Sequence, residues 1–255
     1  MAYFSNFAQI EYDFDGSGTN RTIKNLSQYS TILSKNLDDA SFYSYYNIQD
    51  GERPDNVSQK LYGTAEYYWI FFIINDGLQN YWRDWPKDST SLRDYVEQKF
   101  IGLAAIFESD IDSFSKFVVG GTVSGSLSNA TGTVKAIFPT LCYIQIEQDK
   151  TSPANFRTAG ESITLTASNS TLAADIARVG NTIACTSIVK AAYGPDHHID
   201  DGTLERTRKR TAGTSPVTHY EQESNNNISR SRIKVIKPEH IGKVVSAFEK
   251  AMREA

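Results

Sequence analysis

Apolar and polar positions alternate over residues 10–14, where Ile10, Tyr12 and Phe14 flank Glu11 and Asp13, which predicts an extended stretch. Asp15-Gly16-Ser17-Gly18 closes it as a turn. A helix is expected over residues 26–33, reaching as far as Ala40. Residues 42–49 are aromatic and β-branched and run into Asp50-Gly51, the pattern of a strand. Pro54 suits a first helical turn, where its missing N–H would be unpaired anyway. Val57, Leu61 and Tyr62 give that helix an apolar side, and Gly63 suits its left-handed end. Thr64 is a good N-cap for a second helix, with Glu66 favoured near its positive end. This helix, through Trp69 to Ile74, is apolar nearly all round and should be buried. Asn75-Asp76-Gly77 stops it. A third helix starts at Ser89 or Thr90 and covers Leu92, Tyr95, Val96 and Phe100.

From about residue 115 the period changes to two. Strands are expected over residues 118–125, 131–137, 141–146, 162–166 and 183–191, with a turn at Ser128-Asn129-Ala130. Short strands with Gly-rich turns predict a small β-barrel or sandwich. Residues 202–218 read as an irregular basic loop, and Ser224-Asn225-Asn226-Asn227 as a break. Residues 231–236 alternate as a strand, and Pro238 opens a helix with Ile241, Val244, Val245 and Phe248 on one side. The fold class expected is α+β: a strand-helix-helix core, an inserted β-domain, and a C-terminal strand plus helix. The divisions fall at 1–40 for an extended arm and helix, 41–110 for the core, 111–200 for the insertion and 201–255 for the basic loop and strand-helix tail.

Composition narrows the function. The 255 residues are 40% hydrophobic and 22% charged, with a net charge of −4, so no whole-chain reason to bind nucleic acid arises. Residues 203–255 hold 11 Lys/Arg and 6 Asp/Glu, a net of +5, against −9 for the first 202. That asymmetry suits ends that meet different surfaces, or a basic tail folded back on an acidic body. The longest apolar run, residues 67–74, is about half of what a membrane helix needs. The start, Met1-Ala2-Tyr3-Phe4-Ser5, lacks a signal-peptide layout.

No sequence element points to catalysis. Asp13 to Gly18 resembles the start of a calcium loop, but Arg21 and Lys24 stand where its ninth and twelfth ligands belong. His197 and His198 are adjacent and in an extended chain would point to opposite sides, so a metal site is not expected. His219 and His240 carry no partner spacing. Cys142 and Cys185 are far apart, which excludes a CxxC zinc site, and Cys142 lies in an alternating strand, where packing is expected. There is no G-x-S-x-G, Walker A or H-E-x-x-H sequence. No enzyme, cofactor or metal is therefore expected. The basic run Arg206 to Arg210 lacks the interleaved aromatics of a nucleic-acid binder.

The stretch Tyr46 to Gly77 carries landmarks that resemble a LysM module: an aromatic-x-apolar strand, Gly51-Glu52, Tyr62-Gly63 between helices, and a closing Asn75. The module's second strand is missing, its place taken by Tyr81-Trp82-Arg83-Asp84-Trp85-Pro86. The resemblance implies a groove for N-acetyl sugars formed by Asp50, Gly51, Glu52 and Arg53 with Asn75, Asp76, Gly77 and Leu78. A longer stretch, from Asp50-Gly51-Glu52-Arg53-Pro54 through Leu61-Tyr62-Gly63, Tyr68-Trp69 and Asn75-Asp76, is similar to the LysM-like core of a baseplate wedge protein of contractile-tailed bacteriophages. The Trp-Pro loop and helix that follow, and the basic strand-plus-helix of residues 230–253, extend the likeness.

That resemblance implies a structural subunit of a phage tail baseplate wedge that links neighbouring subunits. It would be made in the host cytoplasm and built into the virion. Its partners would be other wedge subunits and hub or sheath-initiating proteins, with no nucleic acid and no membrane span. The expected contact residues are Tyr45, Tyr46, Arg53, Tyr68, Tyr81, Trp82, Trp85, Arg230, Arg232, Lys234 and Phe248, because Tyr, Trp and Arg dominate interface energetics. The C-terminal strand is expected to pair by its edge with a neighbour's sheet, or else to complete this chain's own core. A LysM-type peptidoglycan binder is the alternative function.

Overall fold

The computed structural model describes residues 7–25, 41–108 and 114–254. The helix expected over residues 26–40 lies outside them. The chain divides into two compact units, one of Met1–Ser89 with Asn226–Ala255, the other of Thr90–Asn225.

The first unit opens with a hairpin, β1 (Gln9–Tyr12) against β2 (Arg21–Lys24), with Ile10 opposite Ile23 and Tyr12 opposite Arg21. Strand β3 (Tyr43–Asn47) precedes α1 (Pro54–Tyr62). Pro54 stands at the helix start, and Gly63 ends the helix at φ 71, donating its N–H to Gln59. Thr64 then accepts from Glu66 N–H and starts a 3-10 turn, Ala65–Tyr67, before α2 (Trp69–Ile74). Two short helices follow, α3 (Tyr81–Asp84) and the start of α4 (Ser89–Lys99). The unit closes with β14 (Arg232–Ile236) and α7 (Pro238–Glu254).

Strand β14 pairs antiparallel with β3, Tyr45 facing Lys234 and Ser44 facing Val235. The strand expected to add to a neighbour's sheet is thus spent inside its own unit. Its far edge is taken as well. The Asn75 amide donates to the Lys234 carbonyl at 3.0 Å and accepts the Lys234 N–H at 2.8 Å, the two bonds a neighbouring strand would make. Asn75 also donates to the Phe71 carbonyl, and Tyr62 to that of Ile236. The apolar residues explain the choice. Ile233 and Val235 sink into a core with Ile48, Val57, Phe71, Leu78 and Trp85. Ile236, Val244, Phe248 and Met252 pack with Phe7, Trp69, Ile70 and Ile74.

In the second unit the period-two pattern gives one antiparallel sheet of seven strands, in the order β10-β4-β7-β6-β5-β8-β9. These are β4 (Leu103–Ile106), β5 (Thr122–Gly125), β6 (Thr131–Phe138), β7 (Tyr143–Gln148), β8 (Ser162–Ala167), β9 (Thr182–Ala184) and β10 (Ser187–Lys190). A four-residue helix, α5 (Ala173–Ile176), precedes β9. The expected strand over residues 183–191 is two strands on opposite edges of the sheet, separated by Cys185 and Thr186 alone. Three peptide steps reach about 11 Å, whereas seven strands laid flat would set their edges roughly 29 Å apart. The sheet is therefore rolled, around Phe107, Phe114, Phe117, Val134, Ile144, Ile163 and Leu165. Among the described residues no ladder joins its edges, so the expected barrel is not closed. Cys142 and Cys185 are buried in this core, and burial pushes both thiols up, Cys185 to about 12.

Gly102 enters β4 at φ +94, and a Cβ there would stand 2.5 Å from the Ile146 carbonyl oxygen. That oxygen belongs to a central strand and has no room to retreat. Gly102→Ala is expected to lower stability by roughly 1–3 kcal/mol, read as a fall in the denaturant midpoint.

The segment expected as a basic loop supplies β12 (Arg206–Thr207) and β13 (Thr214–Thr218), which flank the preceding β11 (Pro195–Asp200) in a three-stranded sheet of order β12-β11-β13. Its polar, Pro-containing strands hide the alternation, and ladder pairing to β11 holds them. The break expected at 224–227 is the middle of α6 (His219–Ser231). Thr218 and Glu221 form a reciprocal cap: Thr218 N–H donates to the Glu221 carboxylate, and Glu221 N–H to Thr218 Oγ1. The T-x-x-E sequence was the signal for this start.

Candidate functional site

The expected contact residues all fall in the first unit, and the structure sorts them into three groups. The first is buried. Trp85 packs in the core and donates its indole N–H to the Glu52 carbonyl at 2.7 Å, and Phe248 lies against Trp69 with ring centroids 4.4 Å apart. Neither offers surface to a partner. Tyr46 is half-buried and braces the turn after β3. Its hydroxyl donates to Glu52 at 2.8 Å and accepts from Lys60 at 2.9 Å.

The second group is an aromatic ledge. Trp82 is 83% exposed, sits edge-on to Tyr81 at 4.9 Å, and Tyr81 sits edge-on to Tyr68 at 6.2 Å. Arg53 joins it, its guanidinium held protonated first by Tyr81 and then by Asp55. The turn that presents Trp82 is rigid. Asn80 Oδ1 accepts from Trp82 and Arg83 N–H groups, and buried Asp84 accepts from Gln79 and Asn80 N–H and from Arg83. The Arg83 hydrogen bond, against burial and with Arg230 adding its field, holds the Asp84 carboxyl down at about 2. Arg230 thus serves this brace.

The third group is the outer face of the β3–β14 ribbon. Arg232 lies over the Tyr45 ring at 4.4 Å, Lys234 over Tyr43 at 5.0 Å, and Tyr45 is 53% exposed. Sequence reasoning missed a further apolar surface on the β1–β2 hairpin. Ile10, Ile23, Tyr12 and Arg21 share one face and Phe14 adds its ring beyond them, while Gln9, Glu11, Thr22 and Lys24 share the other. Tyr12 is 51% and Phe14 64% exposed, although Phe7 at the hairpin base is buried among Trp69 and Phe248. A lone two-stranded hairpin is marginal in water, so this face is one that gains by being covered. The alternation around Ile10 was the available signal; β2 was not legible because Arg21-Thr22-Ile23-Lys24 is mostly polar.

The residues of the expected sugar groove are largely engaged. The Asn75 amide bridges to β14, Leu78 is buried, and the Glu52 carboxylate takes Tyr46, Lys60 and Gln49 N–H. Asp50 accepts the Ser89 N–H, and Arg53 pairs with Asp55 at 3.2 Å. Asp13 and Asp15 of the calcium-like loop bond the N–H groups of their own turn. Among the described residues no group of three or more His, Cys, Asp or Glu could hold a metal. No helix among the described residues is long and apolar enough to cross a membrane.

Residues 3–113 match the family described as base plate wedge protein 53. No curated protein matches the chain. The wedge resemblance read from the sequence is thereby supported over those residues.

Proposed function

We propose that this chain is a structural, non-enzymatic subunit of a phage tail baseplate wedge that links neighbouring wedge subunits and sits in the virion tail. The observation that carries the reading is Trp82, exposed on a turn whose every brace is internal. An indole exposed to this degree, touching its own unit through Tyr81, adds little to its own fold, and a pre-organised aromatic beside an Arg is what interface hot spots are made of. The Tyr45–Arg232 face and the hairpin face around Tyr12 and Phe14 supply further contacts, so that one small unit can touch more than one neighbour. Partners are other wedge subunits and hub or sheath-initiating proteins.

Trp82→Ala is expected to melt like the native chain, since surface changes of this kind stay within about 0.5 kcal/mol. Co-expressed with the neighbouring wedge proteins it should assemble roughly 30-fold more weakly, the equivalent of a 2 kcal/mol hot spot. Sedimentation of the assembled wedge measures this, and wedge formation at native yield would remove Trp82 from the interface. Peptidoglycan binding through the LysM-like groove is the weaker reading, because Asn75 and Glu52 already spend their hydrogen bonds inside the chain.

A further inference from the structure

The second unit contains a cavity of about 530 Å³ that the wedge reading does not use. Two aromatic pairs stand in its wall: Phe138 stacked on Tyr143 at 4.5 Å, and Phe100 stacked on His219 at 4.0 Å. Lys99, Arg206 and Arg208 bring three cations to it, and Asp196 is the one carboxylate among its lining residues. That carboxylate is already occupied. Its Oδ2 lies 2.8 Å from His197 Nδ1 and 3.1 Å from an Arg206 nitrogen, and its Oδ1 lies 3.1 Å from His219 Nδ1. Lys99 pairs with Glu223 at 2.7 Å. No hydrogen bond or ion pair of the Arg208 side chain is found among the described residues, and Arg208 is exposed.

The chemistry is that of binding. The Tyr143 hydroxyl lies 3.4 Å from His219 Nε2, but burial pushes that phenol up to about 12, the reverse of what a nucleophile needs. With Lys99 paired to Glu223 and Arg206 to Asp196, what the lining offers is the one uncompensated positive charge of Arg208 beside apolar walls. Arg206, in β12, and Arg208, in the bend after it, both line the cavity, and Lys209 is not among its lining residues.

We infer that this cavity receives an acidic side chain from a peptide segment of a neighbouring protein, with Arg208 as the charge that meets the carboxylate. A cavity of this volume is far larger than a bare inorganic anion fills, and its walls of Phe100, Phe138 and Leu141 gain only from an organic occupant. Residues 90–225 carry 12 Lys/Arg against 15 Asp/Glu, a net of −3, so the cationic patch is local. A long polyanion such as single-stranded nucleic acid meets repulsion from the rest of the unit, whereas one short acidic segment does not.

The test uses the full chain and a fluorescein-labelled hexaglutamate peptide, followed by anisotropy at low salt. Saturable binding is expected. Arg208→Ala should weaken it about tenfold or more, the scale of one charge-assisted hydrogen bond, with an unchanged melting temperature. Lys209→Ala, next in the chain but not among the residues that line the cavity, should leave it unchanged. Equal losses in both variants would mean diffuse attraction and overturn the site, as would absence of binding or native affinity in Arg208→Ala. Unlabelled glutarate displacing the peptide at equal concentration would overturn the peptide as occupant in favour of a small carboxylate. Tighter binding of hexathymidylate would overturn it in favour of nucleic acid. The measurement needs no assembly, so its failure leaves the Trp82 ledge untouched.

Discussion

A chain ending at Ser231 should lose the folded first unit altogether. The deletion takes β14 away from β3, leaves the Asn75 amide without the Lys234 backbone, and removes Ile233, Val235, Ile236, Val244, Phe248 and Met252 from two cores. Phe248→Ala alone is expected to cost about 3–5 kcal/mol, and a domain's entire stability is of order 5–15 kcal/mol. All three tryptophans, Trp69, Trp82 and Trp85, lie in this unit. Their fluorescence in the truncated chain should match that of the denatured state. A truncated chain with native tryptophan emission and a cooperative melt would show that the C-terminal strand and helix are dispensable to the fold and free to dock elsewhere.

The second large effect is expected at Glu161 in the other unit. Among the described residues no ion pair reaches this buried carboxylate. It accepts the N–H groups of Leu127, Ser128 and Arg157 and the Ser128 hydroxyl. The fit is close enough that a Cβ on Gly125 would strike its Oε1. Burial pushes the acid up, but the Ser128 and backbone hydrogen bonds outweigh it, and the carboxyl titrates below its ordinary value. Glu161→Ala leaves three N–H groups without an acceptor. At about 1–3 kcal/mol for each unsatisfied buried group, the loss should be roughly 3 kcal/mol or more.

Glu161→Gln keeps the shape and removes the charge, so it isolates the titration. A depressed folded pKa stabilises at pH values above the unfolded value, near 4.3 for Glu, and that contribution disappears as pH falls through the folded pKa. The stability gap between the native chain and Glu161→Gln should therefore be widest near neutrality and narrow in acid. Amide exchange in β5 and β8, followed at both pH values, reports it. A gap that stays constant across that range would mean the carboxylate's charge does not stabilise the fold.

What the sequence by itself determined is local. Pro54 opening a helix, Gly63 ending it in the left-handed region, and Thr64 capping the next turn each depend on atoms within a few residues, and each is where the pattern puts it. The period-two strands at 131–138 and 162–167 were legible for the same reason, since alternation records which face meets a core. Pairing partners were not. β3 and β14 are separated by the whole second unit, and nothing in Tyr43–Asn47 names Arg232–Ile236 as its mate. Only the folded chain shows that the partner of β3 comes from the chain's far end.

The same limit governs the sites. Trp82 and Trp85 stand three residues apart in one aromatic loop, and composition treats them alike. One becomes surface and the other core, because the Asn80 cap and the Asp84 brace fix the turn that separates them. Arg206 and Arg208 looked like a bare basic run, yet Phe100, Phe138 and Tyr143 reach their cavity from other strands and helices. Backbone geometry is set by neighbours in the chain and survives in sequence pattern. Burial, strand partnership and the clustering of charge are set by residues tens to more than a hundred positions away, and only the tertiary structure decided them.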